Sequence, residues 1–170
     1  MLRPVLAAAL VALAACSPTF NWREVRLDPA QLRALLPCKP DKGSRTVPMA
    51  GRDVELQVIG CDTGGATFAI LSGDIVDPLR SGEVLRQWRA ATLANLRSAS
   101  SREQPFLPVG AMALPQSLSV IAVGQRADGS MVESHAAYFA RGSRVVQAVI
   151  YADRLPPEAA ETFFSALKFE

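Results

Sequence analysis

The sequence predicts an α+β fold: an antiparallel sheet of about five to six strands with a long helix and a C-terminal helix packed on it. Three observations predict it. Val54, Leu56 and Val58 alternate with Asp53, Glu55 and Gln57, the period of a strand with one buried face. Beyond residue 117, three strand-like runs follow one another through tight-turn residues. Between these blocks, Leu85, Trp88, Thr92 and Leu96 fall on one helical stripe, with Arg86, Arg89 and Arg97 mostly facing away.

Taken in order, residues 16–27 read as a tether, with Phe20 and Trp22 as early apolar anchors. Asp28-Pro29 supplies a cap and a first-turn proline, and Leu32, Leu35 and Leu36 then suggest a short helix that Pro37-Cys38-Lys39-Pro40 stops. A strand near Arg45 to Met49 precedes the alternating one. The turn cluster Gly60-Cys61-Asp62-Thr63-Gly64-Gly65 leads into a strand at Ala66 to Leu71. Asp77-Pro78 repeats the cap-plus-proline signal and opens the long helix, through about Ser98. Residues 100–116 hold three prolines and the apolar stretch Val109 to Leu114, and read as a long loop. Leu118 to Gln125, Met131 to Ala140 and Arg144 to Tyr151 form a meander joined at Asp128-Gly129 and Arg141-Gly142-Ser143. The run Val145 to Ile150 reads as buried on both faces. Pro156-Pro157-Glu158 starts a closing helix that directs Ala159, Phe163 or Phe164, and Leu167 inward.

The N-terminus carries an address. Arg3 and an unbroken run of Pro, Val, Leu and Ala through Ala15 have the layout of a secretory signal, too short for a span of about 20 apolar residues. Leu13-Ala14-Ala15-Cys16 resembles the lipobox of bacterial lipoproteins. That resemblance implies removal of residues 1–15 and acylation of Cys16 by palmitate-type chains, enough for stable attachment to a membrane without spanning it. An ordinary signal peptide ending at Ala12-Leu13-Ala14 and an apolar N-terminal helix are the competing readings. Residues 28–170 would then form one domain. Ser17 follows the acylated cysteine where an inner-membrane retention signal would have Asp. Similarity to that sorting rule implies the outer membrane, facing the periplasm.

Of three cysteines, the lipid takes Cys16 and leaves Cys38 and Cys61 as a pair in an oxidising compartment, favouring a disulfide over buried thiols. A metal site would need ligands that are missing, since His135 is the only histidine and no Cys-x-x-Cys occurs. Neither a metal nor a cofactor is expected. Loss of Arg3 with the signal leaves 17 basic residues against 16 acidic, a balance with no footprint for nucleic acid.

The order helix, two or three strands, long helix, meander, helix is similar to that of the PsbP-like fold, and residues 158–167 resemble the helix that often closes such domains. Leu35-Leu36-Pro37-Cys38-Lys39-Pro40-Asp41, followed by Gly60-Cys61-Asp62 and Ala66-Thr67-Phe68-Ala69, resembles an uncharacterised family of proteobacterial envelope proteins over most of residues 20–168. The resemblance implies no activity.

No catalytic constellation emerges. Ser134 and His135 are adjacent in a strand and should face opposite ways, and Asp62, Asp74 and Asp77 lack the spacing of an acid pair. The glycines at 60, 64 and 65 lack the lysine of a phosphate loop. The primary expectation is therefore a non-catalytic, lipid-anchored interaction or assembly-support module with an envelope protein partner, favoured by an exposed apolar patch at residues 106–114 that includes Phe106 and Met112. The alternative is a carrier or sensor of a small apolar ligand held between sheet and long helix, in a closed cavity lined by Trp88, Phe68 and Phe139. An enzyme ranks third, and requires His135 beside both a hydroxyl and a carboxylate in a cleft.

Overall fold

The computed structural model describes residues 19–170. Ten strands and two helices follow in the order β1 (Arg23–Leu27), β2 (Leu32–Leu36), β3 (Asp41–Met49), β4 (Arg52–Thr63), β5 (Ala66–Asp74), α1 (Ser81–Asn95), β6 (Ser101–Pro105), β7 (Leu118–Gln125), β8 (Met131–Arg141), β9 (Arg144–Ala152), α2 (Pro157–Ser165) and β10 (Lys168–Phe169). The pairing is antiparallel throughout both sheets, a seven-stranded sheet in the order β3-β4-β5-β9-β8-β7-β6 and a three-stranded one in the order β1-β2-β10. The α+β class stands, with more strands than the five to six expected.

The period-two side-chain rule gives the large sheet two apolar faces. One carries Ile59, Phe68, Ile70, Phe139, Val146 and Ile150, and packs beneath the small sheet and α2, whose Ala159, Ala160, Phe163 and Phe164 are buried there. The other carries Leu56, Leu71, Val120, Tyr138, Val145 and Val149, and clusters with Val84, Leu85 and Trp88 of α1. Because β8 and β9 are covered on both sides, they read as near-continuous apolar runs, as residues 145–150 do.

Four local expectations change. Residues 32–36 form a strand, not a helix. Leu32 and Leu36 are four apart, a spacing that both periods share, and buried Ala34 between half-buried Arg33 and Leu35 sets the period at two. Residues 23–27, read as tether, are strand β1, and the Phe20 and Trp22 rings lie 6.2 and 6.3 Å from Phe68. Residues 101–105, read as loop, form the edge strand β6, all five of them exposed, so no alternation marks it. The rest of that segment is a strap: Phe106 N–H donates to Ser117 O, Met112 N–H to Ala140 O, and Phe169 N–H of β10 to Val109 O. The long helix begins with a single 3-10 turn at Pro78–Arg80 that Asp77 caps by accepting from Leu79 N–H, so the expected cap operates one turn earlier than α1 proper.

Cys38 and Cys61 are joined as a disulfide with Cα atoms 6.0 Å apart. It ties the segment after β2 to β4, and so the small sheet to the large one.

Candidate functional site

The groove originates in where α1 lands. Trp88 packs its edge against Tyr138 of β8 with centroids 6.4 Å apart, and Gln147 of β9 donates through Nε2 to Tyr138 Oη at 2.9 Å and to Thr92 Oγ1 at 3.1 Å. These contacts hold α1 over β8 and β9. Towards β3, β4 and β5 the same sheet face stays uncovered, leaving a groove of about 1070 Å³ between the helix flank and those strands. That volume lies just above the roughly 300–1,000 Å³ range typical of small-molecule sites.

Val58, Ala69 and Val149 contribute its floor, and Trp88, Ala91 and Thr92 its helical wall. Cross-strand register places Val58 opposite Leu71, Ala69 opposite Val149, and Thr67 opposite Tyr151, so the floor runs across β4, β5 and β9. Ala69 matters by being small: it is only half-buried between neighbours that reach further.

Neutral polar side chains, among them Thr67, Gln87, Asn95, Gln125 and Tyr151, also line the groove. Tyr151 is pushed up to about 12 by burial, with Tyr138 adding to the rise and the Arg45 charge opposing it, so its phenol keeps its proton at neutral pH. The charged lining residues are Arg45 and Arg126, with no carboxylate among them. Arg126 is committed to Asp153 at 2.8 Å and to the Met131 carbonyl at 2.8 Å. Arg45, exposed on β3, has no carboxylate within ion-pair distance among the described residues.

Of the candidate ligand and partner contacts Trp88, Phe68, Phe139, Phe106 and Met112, only Trp88 reaches this groove. Phe68 and Phe139 are fully buried on the opposite sheet face: Phe68 meets Phe163 at 5.5 Å, and Phe139 meets Phe106 and Phe169 at 5.9 and 5.7 Å. The cavity lined by all three aromatics is thus replaced by an open groove on one side of the sheet, because residues 68 and 139 have the strand parity of the other face. Phe106 is half-buried against Phe164, and Met112 accepts the Gly142 N–H on sulfur. In that strap Leu107 and Val109 remain exposed. Cys16 lies outside the described residues.

Ser134 and His135 do occupy opposite faces. His135 Nε2 instead lies 2.7 Å from Ser119 Oγ, under the Phe164 ring at 4.1 Å between centroids. Burial lowers the imidazole to about 4. No carboxylate hydrogen-bonds to this pair among the described residues, and it lines neither this groove nor the smaller hollow of about 460 Å³ between the β1–β2 turn and β3–β4.

Sequence reasoning missed Arg45, Ala69, Gln147 and Tyr151. Gln147 had a readable signal, a single amide inside an apolar run, which burial at 3% exposure makes costly unless it is bonded. Arg45 had none.

Fold and groove together define a class: an antiparallel α+β protein with a one-sided apolar cleft beside its long helix. No family model matches the chain, and no curated protein matches it. Among the described residues no group of three or more His, Cys, Asp or Glu side chains could hold a metal, and no helix is long and apolar enough to cross a membrane.

Proposed function

We propose that this chain is a lipid-anchored protein of the bacterial outer membrane, facing the periplasm, that acts by binding rather than catalysis, and that its α1 groove holds an apolar ligand. The observation that carries the reading is the groove itself: a mostly apolar surface with an apolar floor, ligand-scale volume, and polar side chains in the lining to fix orientation. The lipobox-like Leu13-Ala14-Ala15-Cys16 and following Ser17 support the address.

Two experiments test it. Intact mass of the membrane-purified protein reads the anchor: a triacyl increment on a chain starting at Cys16, absent in Cys16→Ala, is expected, and an unlipidated chain refutes the anchor. Fluorescence of N-phenyl-1-naphthylamine, a neutral apolar probe, reads the groove. Saturable enhancement that Ala91→Trp abolishes is expected, because residue 91 is exposed on the helix wall and the indole fills the groove without disturbing the core. Enhancement that survives Ala91→Trp removes the groove from the reading.

A protein-docking role is the second reading. Leu107 at 57% and Val109 at 73% exposure on the strap favour it. Phe106, Ala111, Met112 and Leu114 of that segment are half-buried, which leaves a smaller patch than the sequence suggests.

A further inference from the structure

We infer that the groove's ligand is a single-chain amphiphile with an anionic head, an acyl carboxylate whose head meets Arg45 and whose hydrocarbon chain lies on the Val58–Ala69–Val149 floor. The inference rests on the groove reading above and adds the chemistry of what fills it.

Charge selects the head. The lining presents two cations and no anion, so a cationic ligand is disfavoured and a neutral one gains nothing from them. Asp153 satisfies Arg126, whereas Arg45 is left with a guanidinium aimed at no carboxylate among the described residues. Planar and five-donor, a guanidinium suits a carboxylate as a bidentate partner.

The floor selects the tail. Across the strands, from β3, which carries Arg45, to β9, which carries Tyr151, the face crosses three spacings, roughly 14 Å, and along them the row of Arg45, Leu56 and Gly73 lies six residues, roughly 20 Å, from the row of Thr67 and Tyr151. Between them stand Val58, Ala69 and Val149. On the helix side the wall from Trp88 to Asn95 is about 10 Å long. A trough of these dimensions, apolar underneath and open above, fits a chain laid along it better than a compact polar solute. Polar solutes would leave their own groups unpaired against the floor.

The test uses the mature chain with Trp22→Phe, so that Trp88 on the groove wall is the only indole. Hexadecanoate and hexadecanol are titrated below their aggregation limits, and the naphthylamine probe confirms that the groove is competent. Hexadecanoate is expected to bind the more tightly. Arg45→Gln should weaken hexadecanoate about tenfold or more while leaving hexadecanol and the neutral probe unchanged, and Arg45→Lys should restore part of the preference. Arg45 is exposed on an edge strand, so these variants should unfold at the parent temperature. Equal affinities for acid and alcohol, or an Arg45→Gln protein with undiminished hexadecanoate binding, overturn the anionic head and leave the groove reading in place. Failure of all three probes overturns the groove reading and this inference together. Binding confined to phosphatidylglycerol vesicles, with no response to hexadecanoate, overturns the inference and makes Arg45 a membrane-surface contact.

Discussion

At the scale of single residues, the most consequential group outside the groove is His135. Burial lowers its folded value to about 4, against about 6.5 in an unfolded chain. Between these values the unfolded state binds the proton and the folded state does not, so stability is full above about pH 6.5 and is lost as pH falls towards 4. Solvent screens the partly exposed imidazole, so the loss is on the order of 1–2 kcal/mol over that window. Denaturant midpoints measured from pH 7.5 to 4 should fall in the parent and stay nearly level in His135→Gln, which keeps a polar partner for Ser119. An equally steep decline in the variant would assign the acid sensitivity elsewhere. Ser72 offers the opposite case. Its buried hydroxyl has no hydrogen-bond partner among the described residues, so Ser72→Ala, which deletes the unsatisfied group, should be neutral or raise stability by about 1 kcal/mol. Thermal denaturation of the pair decides it, and a clear loss in Ser72→Ala would mean that the hydroxyl is bonded in solution.

At the scale of elements, the disulfide joins the small sheet to the large one. Its 24-residue loop, counting both cysteines, restricts the unfolded chain by roughly 3 kcal/mol, which for a chain of this size corresponds to about 6–12 °C in Tm. Reduction, or the paired change Cys38→Ser with Cys61→Ser, should lower Tm by that amount, measured by circular dichroism. A shift under 2 °C would show that core packing alone holds the two sheets together. Legibility in the sequence follows the same division. Strands β4, β5 and β7 to β9 and both helices have apolar positions at one period for long enough to be read. Strand β2 could be read as helix because Leu32 and Leu36 satisfy both periods, and β6 left no trace because an edge strand of five exposed residues has no buried face to pattern. The groove was less legible still. Trp88 stands out in its helix, but the groove exists because α1 docks over β8 and β9 and leaves the faces of β3 to β5 bare, and that choice depends on Gln147, Tyr138 and Thr92 meeting across three elements.

At the scale of the whole molecule, the point where the chain enters the fold orients everything else. Thr63 donates through Oγ1 to the Thr19 carbonyl at 2.7 Å, so the described chain begins beside the turn between β4 and β5. Cys16 is three residues earlier in the sequence. If Cys16 carries the lipid as proposed, this end of the large sheet faces the membrane, with Thr67 and Tyr151 at the near end of the groove. The far end is fixed by register: β5 pairs Ala66 with Ala152 at one end and Asp74 with Arg144 at the other, eight residues or roughly 27 Å away. Arg154, just past the near end, and Leu79, 93% exposed just past the far end, are then suitable single labelling sites, introduced as Arg154→Cys and Leu79→Cys. With lipidated protein in vesicles containing headgroup-quencher lipid, the fluorophore at position 154 should be quenched more strongly than the one at 79. Stronger quenching at 79 would turn the near end of the groove away from the bilayer, so a membrane-derived acyl chain would have to leave the lipid phase completely before reaching Tyr151.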